Sequence, residues 1–106
     1  MIDESQSSKI FEKYPDKIPI IVNKYDKEKT LPDINKKKYI VPKEMNFTKF
    51  IYIIRKRINL TSEKAIFITI NGKLCPSNST MGEIYQDNKN DDGFLYIIYS
   101  SENTFG

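Results

Sequence analysis

The residues best suited to chemistry stand at the end of the sequence, in Phe105-Gly106. A terminal glycine suits acyl transfer: with no Cβ, its carboxylate can thread an enzyme channel too narrow for other residues. The polar run SSENTFG, residues 100–106, predicts a mobile tail in front of that carboxylate. A lone terminal glycine would mean little, so the weight falls on what precedes it.

Other candidate chemistry is thin. Cys75 is the sole cysteine and there is no histidine, so a thiol nucleophile has no imidazole partner and no zinc site of familiar spacing can form. Cys75 reads as an inert thiol that can close no internal disulfide. With no signal-like apolar start, a cytosolic or nuclear setting is expected. Asp91 and Asp92 precede Gly93 and read as a turn rather than as paired catalytic carboxylates. No catalytic set, metal or cofactor is expected, and the chain reads as a non-enzyme.

Arg55-Lys56-Arg57, the Lys36–Lys38 triplet and scattered tyrosines raise a nucleic-acid-binding alternative. Seventeen basic against 14 acidic residues leave a net charge of only +3. That excess is too small to make nucleic acid the expected partner.

The elements that must position these residues follow from pattern. The 106 residues fit one domain, large enough for a real core. A short helix is predicted from Asp3 to Tyr14, capped by Asp3 or Ser5 and stopped by Pro15, with Ile10, Phe11 and Tyr14 at helical spacing. The run KIPIIVNK from Lys17 alternates as a strand, although Pro19 cannot donate to a ladder and argues against a central, fully paired position. In KKKYIVP, Lys38 and Ile40 share one face and Tyr39 and Val41 the other. Asn46 can cap the longest helix, which carries Phe47, Ile51, Ile54 and Ile58 as one stripe beside Phe50, Ile53 and Arg57.

Ala65 to Ile70 is an apolar run closed by Asn71-Gly72, a tight-hairpin signal. Thr80-x-x-Glu83 is a capping box for a short helix with Met81, Ile84 and Tyr85. Phe94 to Tyr99 is apolar on both faces, as a central strand would be. The order is helix, strand, strand, helix, strand, short helix, strand. That is an α+β arrangement in the order of the ubiquitin roll, which other small α+β folds share in part.

The segments YPDKIPIIVNK, LPDINKKKYIVP, FIYIIRKRINL, SEKAIFITING and IYQDNKNDDGFLYIIYSSENTFG, between Ile10 and Gly106, resemble one family closely: the autophagy-related eight, GABA-receptor-associated-protein-like ubiquitin-like modifiers. The resemblance implies a β-grasp roll with one N-terminal helix added, the more N-terminal of the family's two helices being absent before Lys17. It divides the chain into a helical extension at 1–16, a ubiquitin-like domain at 17–99 and a conjugation tail at 100–106.

It further implies attachment of Gly106, with Phe105 before it, to phosphatidylethanolamine on autophagosomal membranes. Activating and conjugating enzymes would adenylate the carboxylate and pass it through cysteine thioesters, and a cysteine protease would process or delipidate the product. The protein would be cytoplasmic when free and on autophagosomal or other vesicle membranes when lipidated. A two-chain lipid anchors stably where a single acyl chain does so only marginally.

The same resemblance implies that cargo receptors and adaptors bind through short aromatic-x-x-aliphatic motifs. An extended peptide would add to the edge of the KKKYIVP strand, covering its second apolar face. Ile10, Pro19, Ile21, Lys38, Ile40 and Phe94 match the pocket for the aromatic anchor, and Tyr39, Val41, Pro42, Met45, Phe50 and Ile53 the aliphatic one. Lys17, Lys36 and Arg57 match a basic rim for acidic flanking residues. Taken singly, Val41, Ile53 and Phe94 read better as core; their joint match to both pockets favours binding. Gln6 in place of an acidic residue, and one extra residue around Lys27 to Lys29, point to an altered motif preference. The alternative within this fold is a peptide-binding adaptor that is never conjugated.

Overall fold

The computed structural model describes residues 4–61, 63–75 and 78–102. Among the described residues three helices and five strands follow one another: α1 (Glu4–Lys13), β1 (Lys17–Lys24), β2 (Lys38–Pro42), α2 (Phe47–Arg57), β3 (Phe67–Ile70), β4 (Lys73–Leu74), α3 (Met81–Asn88) and β5 (Leu95–Ser100). The sheet is mixed, in the order β2-β1-β5-β3-β4. β1 pairs antiparallel with β2 and parallel with β5, and β5 pairs antiparallel with β3.

Alternation along each strand decides what is buried. Ile18, Ile20 and Val22 of β1, Tyr39 and Val41 of β2, and Leu95, Ile97 and Tyr99 of β5 join one core with Phe47, Phe50 and Ile54 of α2 and Met81, Ile84 and Tyr85 of α3. Pro19, Ile21 and Phe94 are also buried but stand outside that cluster. α1 packs against β1. Phe11 of α1 meets Tyr85 edge-on at 5.8 Å. Ser7 donates from Oγ to the Asp92 carbonyl at 2.6 Å, fastening the helix to the turn before β5.

The local signals explain most element ends. Asn71 (φ 53°) and Gly72 (φ 80°) make the two-residue turn whose paired positive φ values suit a hairpin, here β3 to β4. Thr80 and Glu83 form a reciprocal capping box at the start of α3. α2 ends where Asn59 turns left-handed at φ 55°, with Leu60 N–H donating to the Arg55 carbonyl and Asn59 N–H to the Lys56 carbonyl. That is a Schellman closure with asparagine in the usual glycine place.

Three expectations change. β1 is central after all, because the β5 ladder begins at Ile20↔Leu95, one residue past Pro19, so the missing N–H falls just outside it. Asn46 stands at the N-cap of α2 but makes no side-chain cap. Phe47 N–H donates instead to the Ser79 carbonyl at 2.9 Å, so the lead-in to α3 holds the start of α2. The two-residue, exposed β4 carries no pattern the sequence could reveal. The cap expected at Asp3 lies outside the described residues.

Candidate functional site

β2 is an edge strand. Val22 N–H donates to the Lys37 carbonyl at 2.8 Å, which makes Val22 and Lys37 a hydrogen-bonded pair. Pairs alternate in an antiparallel ladder, so Ile20↔Tyr39 and Ile18↔Val41 bond across it, while Ile21↔Lys38 and Pro19↔Ile40 do not. The backbone N–H and C=O groups of Lys38 and Ile40 therefore point away from β1, towards the open edge. These are the groups an added strand would take.

The register also sorts the side chains proposed as pockets. Pro19, Ile21, Lys38 and Ile40 stand side by side on one face of the β1–β2 pair. Pro19, Ile21 and Phe94 are buried, Phe94 completely, so in this conformation they offer a floor, whereas Ile10 and Ile40 are half-buried and Lys38 is exposed. Of the residues matched to the aliphatic pocket, Tyr39 and Val41 on the other face of β2 and Phe50 on α2 belong to the core, Met45 and Ile53 are half-buried, and Pro42, paired with Lys17, is exposed on the same face as Lys38 and Ile40. Pro42 and Met45 also line an open cleft of about 750 Å³ with Glu44, Asn46, Thr48, Lys49 and Tyr52. The aliphatic residues thus combine a rigid floor with an accessible rim.

Tyr39 is the most constrained of them. Its ring meets Phe50 edge-on at 5.7 Å, and the Lys36 ammonium lies 5.1 Å from its centroid. Its hydroxyl is buried with no hydrogen-bond partner among the described residues. Burial pushes its pKa up, and the nearby Arg57 charge partly offsets that. Lys36 and Arg57 are exposed, and Lys17 is half-buried with its ammonium 5.9 Å from the Tyr14 centroid. The three cations border the β2 region without forming a salt bridge among the described residues.

The remaining candidates behave as structure. Burial raises the Cys75 thiol pKa, which lowers its thiolate fraction and opposes a nucleophilic role. Asp92 accepts from Phe94 N–H at 3.0 Å and from the Tyr96 hydroxyl, which places it in the turn before β5. Among the described residues no acidic, cysteine or histidine cluster could hold a metal, and no helix is long and apolar enough to cross a membrane. Phe105 and Gly106 lie outside the described residues.

Sequence reasoning missed Glu28. Flanked by Lys27 and Lys29, it resembles a solvated charge, yet it is only 8 % exposed. Its carboxylate accepts six hydrogen bonds. One oxygen receives Thr30 N–H, Thr30 Oγ1 and Leu31 N–H, each at 2.9 Å. The other receives Ser100 Oγ at 3.0 Å, Ser101 N–H at 2.7 Å and Ser101 Oγ at 2.9 Å. Burial pushes its pKa up, and the hydrogen bonds from Ser101, Leu31 and Thr30 outweigh that and hold it well below the usual carboxylate range. The usable signal was the Ser100-Ser101 pair of donors directly after an apolar strand. The division that begins the tail at residue 100 thus meets a Ser100 that closes β5 and a Ser101 tied to the β1–β2 loop.

A family model described as "Autophagy protein Atg8 ubiquitin like" matches residues 3–106. Autophagy-related protein 8e of Arabidopsis thaliana is 52 % identical over 103 residues, covering 97 % of this chain and 84 % of the relative. Autophagy-related protein 8A of Oryza sativa subsp. indica is also 52 % identical over 103 residues, covering 97 % and 86 %. Autophagy-related protein 8a of Arabidopsis thaliana is 52 % identical over 102 residues, covering 96 % and 83 %.

Proposed function

This chain belongs to the Atg8 family of ubiquitin-like autophagy modifiers, and we propose that it acts by carrying peptide-bearing partners on its β2 edge while Gly106 is joined to phosphatidylethanolamine. As a family member it is a ubiquitin-like modifier of autophagy and not an enzyme. The observation that carries the peptide half of the proposal is the open β2 edge, with the Lys38 and Ile40 backbone groups directed outward.

An extended peptide bonded there sets successive side chains on opposite sides, so the anchors of an aromatic-x-x-aliphatic motif, three positions apart, face opposite ways. The aromatic anchor would meet Ile10, Pro19, Ile21, Lys38, Ile40 and Phe94. The aliphatic one would meet Tyr39, Val41, Pro42, Met45, Phe50 and Ile53. Lys17, Lys36 and Arg57 would draw acidic flanks, each exposed pair contributing at most about 1 kcal/mol.

On this reading α1 is an addition to a β-grasp body, with residues 1–16 as extension, 17–99 as the ubiquitin-like domain and 100–106 as the conjugation tail. Activating and conjugating enzymes act on Gly106, a cysteine protease releases it, and cargo receptors and adaptors dock at β2. The free protein is cytoplasmic and the lipidated form sits on autophagosomal or related vesicle membranes. Phe105 and Gly106, which the match to the family model reaches, support the conjugation half.

The test of conjugation is reconstitution with activating and conjugating enzymes, ATP and phosphatidylethanolamine vesicles, read by mass spectrometry. A lipid adduct on the wild type that is lost in Gly106→Ala is the expected result. No adduct under conditions that lipidate a plant relative would leave an unconjugated peptide-binding adaptor.

A further inference from the structure

The Glu28 hub is not explained by either half of that function. It binds residues 72 and 73 positions away in sequence, and it lies outside both proposed pockets. Other contacts converge on the same place. Tyr25 N–H donates to the Tyr99 carbonyl at 2.9 Å, and the Tyr99 hydroxyl donates to the Pro32 carbonyl at 2.6 Å. The whole β1–β2 connection is therefore fastened to the C-terminal end of β5, with Glu28 as its last tie before the chain continues to Glu102.

Resting on the conjugation reading above, we propose that Glu28 is a positioning residue for transfer of the C-terminal glycine, pinning Ser100 and Ser101 so that the reacting segment leaves the body from one fixed point and in one direction. Thioester transfer requires the terminal carbonyl to meet a partner's reactive atom while the body is docked elsewhere on that partner. The effective concentration of the carbonyl then depends on tether length and exit direction. Freeing Ser100 and Ser101 lengthens the tether from about five to about seven residues, which by the −3/2 power law lowers effective concentration only about 1.7-fold. Loss of direction is the larger effect, since a displacement of about 1 Å can cost up to about a hundredfold in a positioned reaction.

The hub's chemistry makes it easy to disable without changing shape. Ser101, Thr30 and Leu31 present backbone N–H groups, which can only donate, and they face both carboxylate oxygens. A glutamine of the same size would set its NH2 against at least one of them in either orientation. Ser101→Ala is milder, removing one hydroxyl donor from the tail side and leaving the loop side intact.

The experiment compares wild type, Glu28→Gln and Ser101→Ala in the lipidation reaction, with KM and kcat separated and amide hydrogen exchange at Ser101 followed in parallel. In Glu28→Gln the Ser101 amide should lose protection while Ile97 in β5 keeps it. The transfer kcat should fall roughly three- to tenfold, with KM within about twofold of wild type. Lost protection at Ser101 with an unchanged kcat overturns the inference and leaves the conjugation reading standing. A raised KM at constant kcat also overturns it, because Glu28 would then belong to a docking surface. No adduct on the wild type under conditions that lipidate a relative overturns both. Should Glu28→Gln fail to fold, Ser101→Ala carries the test: an approximately twofold fall in kcat supports pinning, and none overturns it.

Discussion

The two ends of the β1–β5 parallel pair treat their polar groups in opposite ways. Beside β1, the β2 edge leaves the backbone groups of Lys38 and Ile40 facing outward, without a strand partner. At the far end of β5, one buried carboxylate gathers six donors and closes the sheet's exit against the neighbouring loop. An open edge is a place to bind, and a saturated hub is a place that must not move. On the two proposals above, recognition falls to β2 and orientation to the root of the tail.

The strongest way to break that comparison is to remove what both regions rest on. Phe50 is fully buried and supports Tyr39 from α2. Phe50→Ala should cost about 3–5 kcal/mol in urea unfolding, and should weaken peptide binding as the β2 floor collapses. A loss below about 1 kcal/mol would mean that the aliphatic floor is not part of the core.

Acid should separate the two regions next. The Glu28 carboxyl is depressed in the folded state, so its contribution is complete above the ordinary value of 4.5 and is lost as the pH falls through the folded-state value. In that window the unfolded chain binds the extra proton and stability falls with falling pH. Glu28→Gln should flatten the stability-versus-pH curve below about pH 4.5 by up to about one proton, as read by urea unfolding at successive pH values. An unchanged acid slope would contradict the hub's ionised state.

Two smaller effects sharpen the β2 side. Lys38 N–H is not used by β1, so Lys38→Pro should leave stability nearly unchanged while lowering peptide affinity by about 1 kcal/mol, roughly fivefold, in calorimetric titration. Lys36→Ala should weaken an acidic-flanked peptide by less than about 1 kcal/mol, and raised salt should reduce the difference.

Local signals in the sequence had local causes and were legible. The Thr80–Glu83 box, the Asn71-Gly72 turn and the alternation of β1 each rest on neighbouring residues, and each recurs in the structure. What depended on distant partners was not legible. Pro19 looked disqualifying for a central strand until the β5 ladder was seen to start one residue later. Asn46 looked like a side-chain cap, yet the Ser79 carbonyl, more than 30 residues away, takes the first helical N–H. Glu28, between two lysines, drew no reading from the sequence, because half of its donors, on Ser100 and Ser101, come from the other end of the chain. Of the proposed pocket residues, the register brings Pro19, Ile21, Lys38 and Ile40 together on one face, a grouping that alternation alone had set out only within each strand.

The most direct test of recognition at β2 is a nuclear magnetic resonance titration of the isotopically labelled protein with an aromatic-x-x-aliphatic peptide carrying an acidic flank. The account predicts that the amides of Lys38 and Ile40 move most and become protected from exchange, while those of Tyr39 and Val41, already bonded to β1, change little in protection. Binding that leaves the Lys38 and Ile40 amides unprotected, with shifts centred on another surface, would contradict it.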